Sequence, residues 1–217
     1  RSVGLQIASG LRSFIGNGSN NTVSGSEGFC GSGNNNTVSG TAAVCPGGQS
    51  NLVDGSAAWV PGGAGGDVKG VAAACAWSGG FRSLRGDNQH FGVTVQQSTV
   101  NVQTRTLTST RGSVPSSTNT FNIVQGMWSG IVTVHARERA AANVASYIYH
   151  VVAVQDTGGI VVKRAELLDS YVDAGLSGIA CNIVANNTLS TLTIVVDGID
   201  TKTIDWFGEF SGAYIRS

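Results

Sequence analysis

The chain has no charge in excess: thirteen basic and thirteen acidic residues cancel over 217 positions. There is no basic stripe and no interleaving of basic with aromatic residues, which excludes the electrostatic footprint of a nucleic-acid binder. No apolar run approaches the ~20 residues that cross a bilayer, and Arg1-Ser2-Val3-Gly4 opens no signal-peptide hydrophobic segment. The expectation is a soluble piece of something longer, without membrane insertion. Cysteines are few and lack the convergent pairs of a disulfide framework or zinc site. Cys30, Cys45 and Cys75 fall at multiples of 15 residues and are expected to be reduced core thiols. His135 and His150 lack His-x-Glu or His-Glu-x-x-His spacing, so metal catalysis has no support. Gly62-Gly63-Ala64-Gly65-Gly66 precedes no Lys-Ser/Thr, and Gly31-Ser32-Gly33 lacks a strand-to-helix nucleophile elbow. No cofactor, resident metal or catalytic residue is expected.

Glycine and asparagine are what the first third has. Asn20-Asn21-Thr22-Val23-Ser24-Gly25 recurs letter for letter at Asn35-Asn36-Thr37-Val38-Ser39-Gly40, and the period of 15 continues through Ser50-Asn51-Leu52-Val53-Asp54-Gly55 to Asp67-Val68-Lys69-Gly70. A unit this short cannot bury a core alone and must stack on its neighbours. Two glycine columns, Gly10/25/40/55/70 and Gly18/33/48/63, are read as two left-handed corners per coil. Val23, Val38, Val53 and Val68 form one core column. Ile15, Cys30, Cys45, Val60 and Cys75 form a second.

The column just before the second, Phe14, Phe29, Val44, Trp59 and Ala74, varies in volume and falls on the opposite side of each strand, hence outside. Large aromatics in an exposed row are expected to be covered by other copies of the chain; Phe14, Phe29 and Trp59 are the expected trimer interface. The Asn pairs are expected at the corners, as solvated turn residues or amide ladders.

Composition changes near residue 85: residues 1–80 hold 19 of the 31 glycines and only 6 of the 26 charged residues. Domains of 1–85 and 86–217 are expected. From Phe91 onward alternating strand patterns dominate, with Val100–Leu107, Ile131–Arg137, Ala145–Val154, Ile160–Lys163, Leu189–Val196 and Thr203–Phe207 separated by turn signals. Many strands without helices between them give an antiparallel, jelly-roll-like β-sandwich.

Asn36-Thr37-Val38-Ser39-Gly40-Thr41-Ala42-Ala43 and Asn51-Leu52-Val53-Asp54-Gly55-Ser56-Ala57-Ala58 resemble head repeats of trimeric autotransporter adhesins, the YadA-like left-handed parallel β-roll. The run from Gly86-Asp87 through Trp128-Ser129-Gly130-Ile131-Val132-Thr133-Val134-His135-Ala136-Arg137 to Lys202-Thr203-Ile204-Asp205-Trp206 is similar to the C-terminal domain of phage and prophage tail fibres. The resemblance implies an all-β homotrimer: a left-handed parallel β-roll of 15-residue repeats, then the sandwich. It implies a virion tail-fibre location, other tail proteins as partners, and attachment of the distal domain to a bacterial surface receptor, a glycan in the first instance. A trimeric bacterial surface adhesin and a glycan-degrading tailspike are the competing readings. An adhesin would need a stalk and anchor not seen here; a tailspike would need paired carboxylates along a groove.

Glu166, Asp169 and Asp173 cluster in sequence and are read as a solvated turn. Tyr147 and Tyr149 share one face of an apolar strand and are read as core. Tyr171, Asp173 and Trp128 are the candidate receptor contacts, since aromatic rings offer a sugar an apolar face and a polar edge. His90 is the one histidine that threefold symmetry could gather around a metal.

Overall fold

The computed structural model describes residues 4–81, 83–110, 112–123, 126–156 and 158–216. Contacts divide the chain into two units, Arg1–Gly92 with Ala213–Ser217, and Val93–Gly212.

The first unit is a parallel β-solenoid of about five turns. Its strands are β1 (Ile7–Ala8), β2 (Phe14–Ile15), β3 (Thr22–Val23), β4 (Phe29–Cys30), β5 (Thr37–Val38), β6 (Val44–Cys45), β7 (Leu52–Val53), β8 (Gly63–Ala64) and β9 (Ala74–Gly79). One sheet runs β1-β3-β5-β7 and another β2-β4-β6, all in parallel register, so Phe14 faces Phe29 and Cys30 faces Cys45. A third line of bridges joins Ser19, Asn34, Gln49 and Ala64. Inward, Val23, Val38, Val53 and Val68 are fully buried, as are Cys30, Cys45 and Val60. Side chains of one modest volume let successive turns stack without voids.

Glycines of both columns lie against the carbonyls of the next turn, a Cβ on Gly18, Gly33, Gly48 or Gly63 standing 2.0–2.3 Å from one, but only that column is also set by φ throughout. Gly18, Gly33, Gly48 and Gly63 are left-handed, with φ from 81° to 108°, where a Cβ would be strained. Gly25 and Gly40 are not left-handed; a Cβ there would stand 2.1 Å from the carbonyl oxygens of Gly40 and Gly55 respectively. Close approach of neighbouring turns, not φ, excludes a side chain. The left-handed corner lies two residues further on, at Arg12, Glu27, Ala42 and Ala57, with φ between 52° and 57°.

The period also slips locally. Gly55 faces Val71 rather than Gly70, and Trp59 bridges to Cys75, so the offset is 16 here before it returns to 15 where Gly63 pairs with Ser78. As a result Ala76, not Cys75, takes the buried position after Val60, and Cys75 is only partly buried. The expected core column therefore contains two cysteines, not three.

The Asn pairs are not simply solvated turns. Asn20 and Asn35 are exposed and left-handed, but Asn21, Asn36 and Asn51 are fully buried. Asn36 Nδ2 donates to Asn21 Oδ1 at 3.1 Å, Asn51 Nδ2 donates to Asn36 Oδ1 at 3.1 Å, and the Gly66 N–H closes the series on Asn51 Oδ1 at 2.8 Å. A buried amide is tolerated only when both its ends are bonded, and the stacking repeat provides the bonds.

The second unit holds two sheets built from β10 (Asn88–Val100), β11 (Thr104–Thr106), β12 (Phe121–Asn122), β13 (Gly126–Glu138), β14 (Val144–Asp156), β15 (Gly159–Val172), β16 (Ala180–Asn186), β17 (Thr191–Asp197) and β18 (Thr203–Arg216). One sheet has the order β15-β14-β13-β18-β10; in the other, β17 pairs with β16, β11 and β12. They pack face to face. The Phe121 ring of the small sheet stacks on Phe210 at 4.7 Å and meets Trp128 edge-on at 4.9 Å, both on the large sheet. A Cβ on Gly208 would strike Ile194, Leu107 and Val95. Tyr147 is buried on the same inner face, and the Tyr149 hydroxyl donates to the Cys181 carbonyl at 2.8 Å.

Two strand expectations change. Residues 100–107 are not one strand: Asn101 is left-handed at φ 57° and separates β10 from β11. The strand expected over Ile160–Lys163 runs on to Val172 as β15, so Glu166 and Asp169 lie on an edge strand, not in a turn. Bonding to β14 keeps polar side chains in strand geometry that their propensity alone does not favour.

Candidate functional site

β13 alternates strictly. Trp128, Val132, Val134 and Ala136 point into the core, and Ile131, His135 and Arg137 point out. Antiparallel register then sets His135 beside Ser146 of β14, and Ser146 beside Tyr171 of β15. Phe207 of β18 completes the row, its ring lying 6.5 Å from His135 at 20°. Together with Gln96, Arg137, Asp205 and neighbouring residues these side chains line a cavity of about 430 Å³. Tyr171 is 58% exposed and Phe207 43%, so two ring faces are open to whatever enters.

Polar groups around the cavity are ordered. The Tyr171 hydroxyl donates to Asp173 Oδ1 at 2.6 Å, and the Val144 N–H donates to Asp173 Oδ2 at 2.8 Å. The hydrogen bond from Tyr171, then that from Val144, holds the Asp173 carboxyl below its ordinary pKa, and the same carboxylate pushes the Tyr171 phenol up. Asp205 accepts from Arg139 Nη2 at 2.6 Å and Nε at 3.1 Å, and from Ser98 Oγ at 2.5 Å.

Of the three candidate receptor contacts, Tyr171 lines the open recess and Asp173, outside the lining, is held beside it. Trp128 is not there. It is fully buried against Phe121 and Phe210, because alternation along β13 gives it to the inner face. In the sequence His135 is weighed only as a metal ligand, and Arg137 and Phe207 are not proposed as receptor contacts; the register of β13 against β14, and of β14 against β15, brings His135 to Tyr171. Of the remaining carboxylates, Glu166 is ion-paired with Arg164 and faces His150 across the strand pair, and Asp169 faces Ile148.

On the solenoid the expected outer column is outside. Phe14, Phe29 and Trp59 are 53%, 38% and 48% exposed, and the two phenyl rings stack at 5.5 Å. Trp59, Trp77, Pro61, Gly62, Gly63 and Gly79 line, with Ser78, a second, largely apolar cavity of about 590 Å³. His90 stacks on Trp77 at 4.1 Å. Among the described residues of a single chain, no three His, Cys, Asp or Glu side chains come together in a way that could hold a metal.

All four cysteines are free thiols. The Cys45 thiol is pushed up by its hydrogen bond with Cys30 and by burial, and burial raises Cys181 to about 12. Neither is poised as a nucleophile.

No protein-family model matches the chain, and no curated protein matches it. Among solved structures it is similar to the tailspike protein of Acinetobacter phage vB_ApiP_P1, at 10% identity over 94% of this chain and 51% of that one, with a TM-score of 0.35. It is also similar to the tailspike protein of Acinetobacter baumannii phage AM24, at 9% identity over 94% of this chain and 49% of that one, with a TM-score of 0.33. The chain spans about half the length of these two proteins.

Proposed function

We propose that this chain is an attachment protein of a bacterial virus, a tail fibre or spike component in which the Val93–Gly212 unit binds a glycan of the host surface. The observation that carries the reading is the recess at Tyr171. It is within the size range of small-ligand sites, ~300–1,000 Å³, and open ring faces next to ordered polar groups suit the C–H faces and hydroxyls of a sugar. A fibre-like Thr203-Ile204-Asp205-Trp206 strand supports a viral fibre, whereas the 15-residue repeats fit a viral fibre and a bacterial adhesin equally. The exposed Phe14/Phe29/Trp59 stripe supports a homotrimer, and three copies would compensate for weak binding at each site.

Binding without cleavage is the reading favoured. Glu166 is held by Arg164 and Asp173 by Tyr171 and Val144, which supports structural roles for both carboxylates. The test is retention of the full chain on encapsulated bacterial strains and on their capsule-deficient derivatives. Binding that follows the capsule and weakens in Tyr171→Ala is expected. Absence of binding across the panel would overturn the reading. Release of defined oligosaccharides, lost in Glu166→Gln or Asp173→Asn, would replace it with a glycan-degrading tailspike.

A further inference from the structure

We propose that the saccharide bound at Tyr171 carries an anionic group, and that Arg137 is the residue that selects it. This rests on the glycan-attachment reading above and narrows its ligand class.

Arg137 and Asp205 are the two formally charged side chains among the cavity's lining residues. Asp205 is already matched: both its oxygens accept from Arg139, and Ser98 donates to one of them. Asp173, behind Tyr171, is likewise occupied at both oxygens. Arg137 is different. It stands exposed on the outer face of β13 and makes no hydrogen bond or ion pair with any described residue.

A solitary arginine on a flat surface would mean little. Here it borders a recess walled by the rings of Phe207, His135 and Tyr171, and apolar walls concentrate the field of a charge at their mouth. Its guanidinium presents a planar fork of donors that fits a carboxylate or phosphate through two parallel hydrogen bonds. Register supplies the direction. His135, Ser146 and Tyr171 form one row across three strands, and Arg137 with Val144 forms the next, about 7 Å along the strand. A sugar ring seated on the aromatic row therefore points one substituent at the guanidinium. Complementarity favours an anionic substituent there, since a neutral hydroxyl can accept from the guanidinium but leaves its charge uncompensated.

The anion could be a sugar carboxylate or a sugar phosphate, and the experiment separates them. Binding of the full chain would be measured to a hexuronic-acid capsular polysaccharide and its carboxyl-reduced form, and to a phosphate-bearing sugar polymer before and after removal of phosphate. We expect the anionic form to bind roughly tenfold more tightly in one arm, which identifies the source. Arg137→Gln should bring the anionic polymer down to the level of its neutral counterpart, while Arg137→Lys recovers part of the difference. Should Arg137→Gln not fold, the unaltered chain read against salt gives the same information, because a charge-selected ligand weakens as ionic strength rises.

Equal binding of charged and neutralised polymers in both arms, undiminished binding by folded Arg137→Gln, or a flat salt dependence would each overturn the proposal. A chain that binds encapsulated cells but ignores polymer charge would remove anion selection and leave attachment standing. A chain that binds neither cells nor any polymer would remove both.

Discussion

Asn21 Oδ1 accepts two hydrogen bonds from Asn36, one turn further along the solenoid: from its backbone N–H at 3.0 Å and from its Nδ2 at 3.1 Å. Asn36 repeats the arrangement towards Asn51, and its Nδ2 also donates to the Gly48 carbonyl at 3.0 Å. Each amide is thus both a link between turns and a filler of the coil interior.

Asn36→Ala should cost about 2–3 kcal/mol of solenoid stability, because buried donors on Asn51 and the acceptor on Asn21 lose their partner with no water to replace it. Asn36→Asp should be at least as harmful, since a carboxylate cannot donate to Asn21. Chemical denaturation followed by circular dichroism checks both, and a loss under 0.5 kcal/mol, the low end of an ordinary net hydrogen bond, would mean the ladder contributes nothing special.

Gly40→Ala should prevent the turns from stacking, as its methyl would stand 2.1 Å from the Gly55 carbonyl oxygen. Gly79→Ala is the control: a Cβ there meets nothing within 4 Å, and its effect should stay within the ~0.5 kcal/mol of an ordinary surface change. Thermal melting of the two variants separates close approach from glycine content as the cause.

Two carboxylates should give opposite pH dependence. Burial raises the pKa of Asp67, so the folded chain holds that proton more tightly than the unfolded one. Stability from this group is greatest in acid and falls as pH rises from the ordinary carboxylate value through the raised one. Asp67→Asn should therefore raise the melting temperature at neutral pH, with the gain vanishing in acid. Glu138 is the reverse. Asn143 and then Lys202 lower its pKa, so its contribution is full above the ordinary value and is lost as pH falls through the lowered one. Glu138→Gln should destabilise at neutral pH and flatten the acid limb of the stability profile. Melting curves across pH 2–8, the window that spans carboxylate titration, test both signs.

If the Phe14/Phe29/Trp59 stripe is an interface between copies, light scattering of the full chain should give a trimer mass at micromolar protein. Phe29→Ser with Trp59→Ser should lower that mass while the circular dichroism spectrum is kept. A monomeric parent chain would leave the stripe without this explanation.

Much of the solenoid is legible in the sequence because one residue's role is printed again 15 positions later. Val23, Val38 and Val53 predict one another's burial. What the period hides is the reason for each column: Gly25 and Gly18 look alike as letters and both face a neighbouring carbonyl, yet only Gly18 is also held by a left-handed φ. The slip before Val71 escapes a fixed-period reading because Gly70 happens to occupy the expected place.

The recess in the second unit is less legible. Tyr171 can be singled out as an aromatic in a polar stretch, but its partners come from Phe207, Arg137 and His135, far apart in sequence and joined only by strand register. Trp128 misleads for the opposite reason: a large aromatic near polar residues is as consistent with a core as with a surface, and only alternation along β13 decides.

The letter-for-letter identity of residues 20–25 and 35–40 has a consequence for how such a chain changes over generations. Matching stretches of coding sequence invite unequal exchange, and each event would add or delete one 15-residue turn, about 4.8 Å of solenoid. Every inserted turn would bring its own valine, its own buried asparagine and its own close-approach glycine, so no new interface has to be invented. The last turn, with its local offset of 16, cannot be copied this way without throwing Trp59 and Cys75 out of step. Length is therefore free to vary by copy number in the middle of the array, and fixed in form at its end.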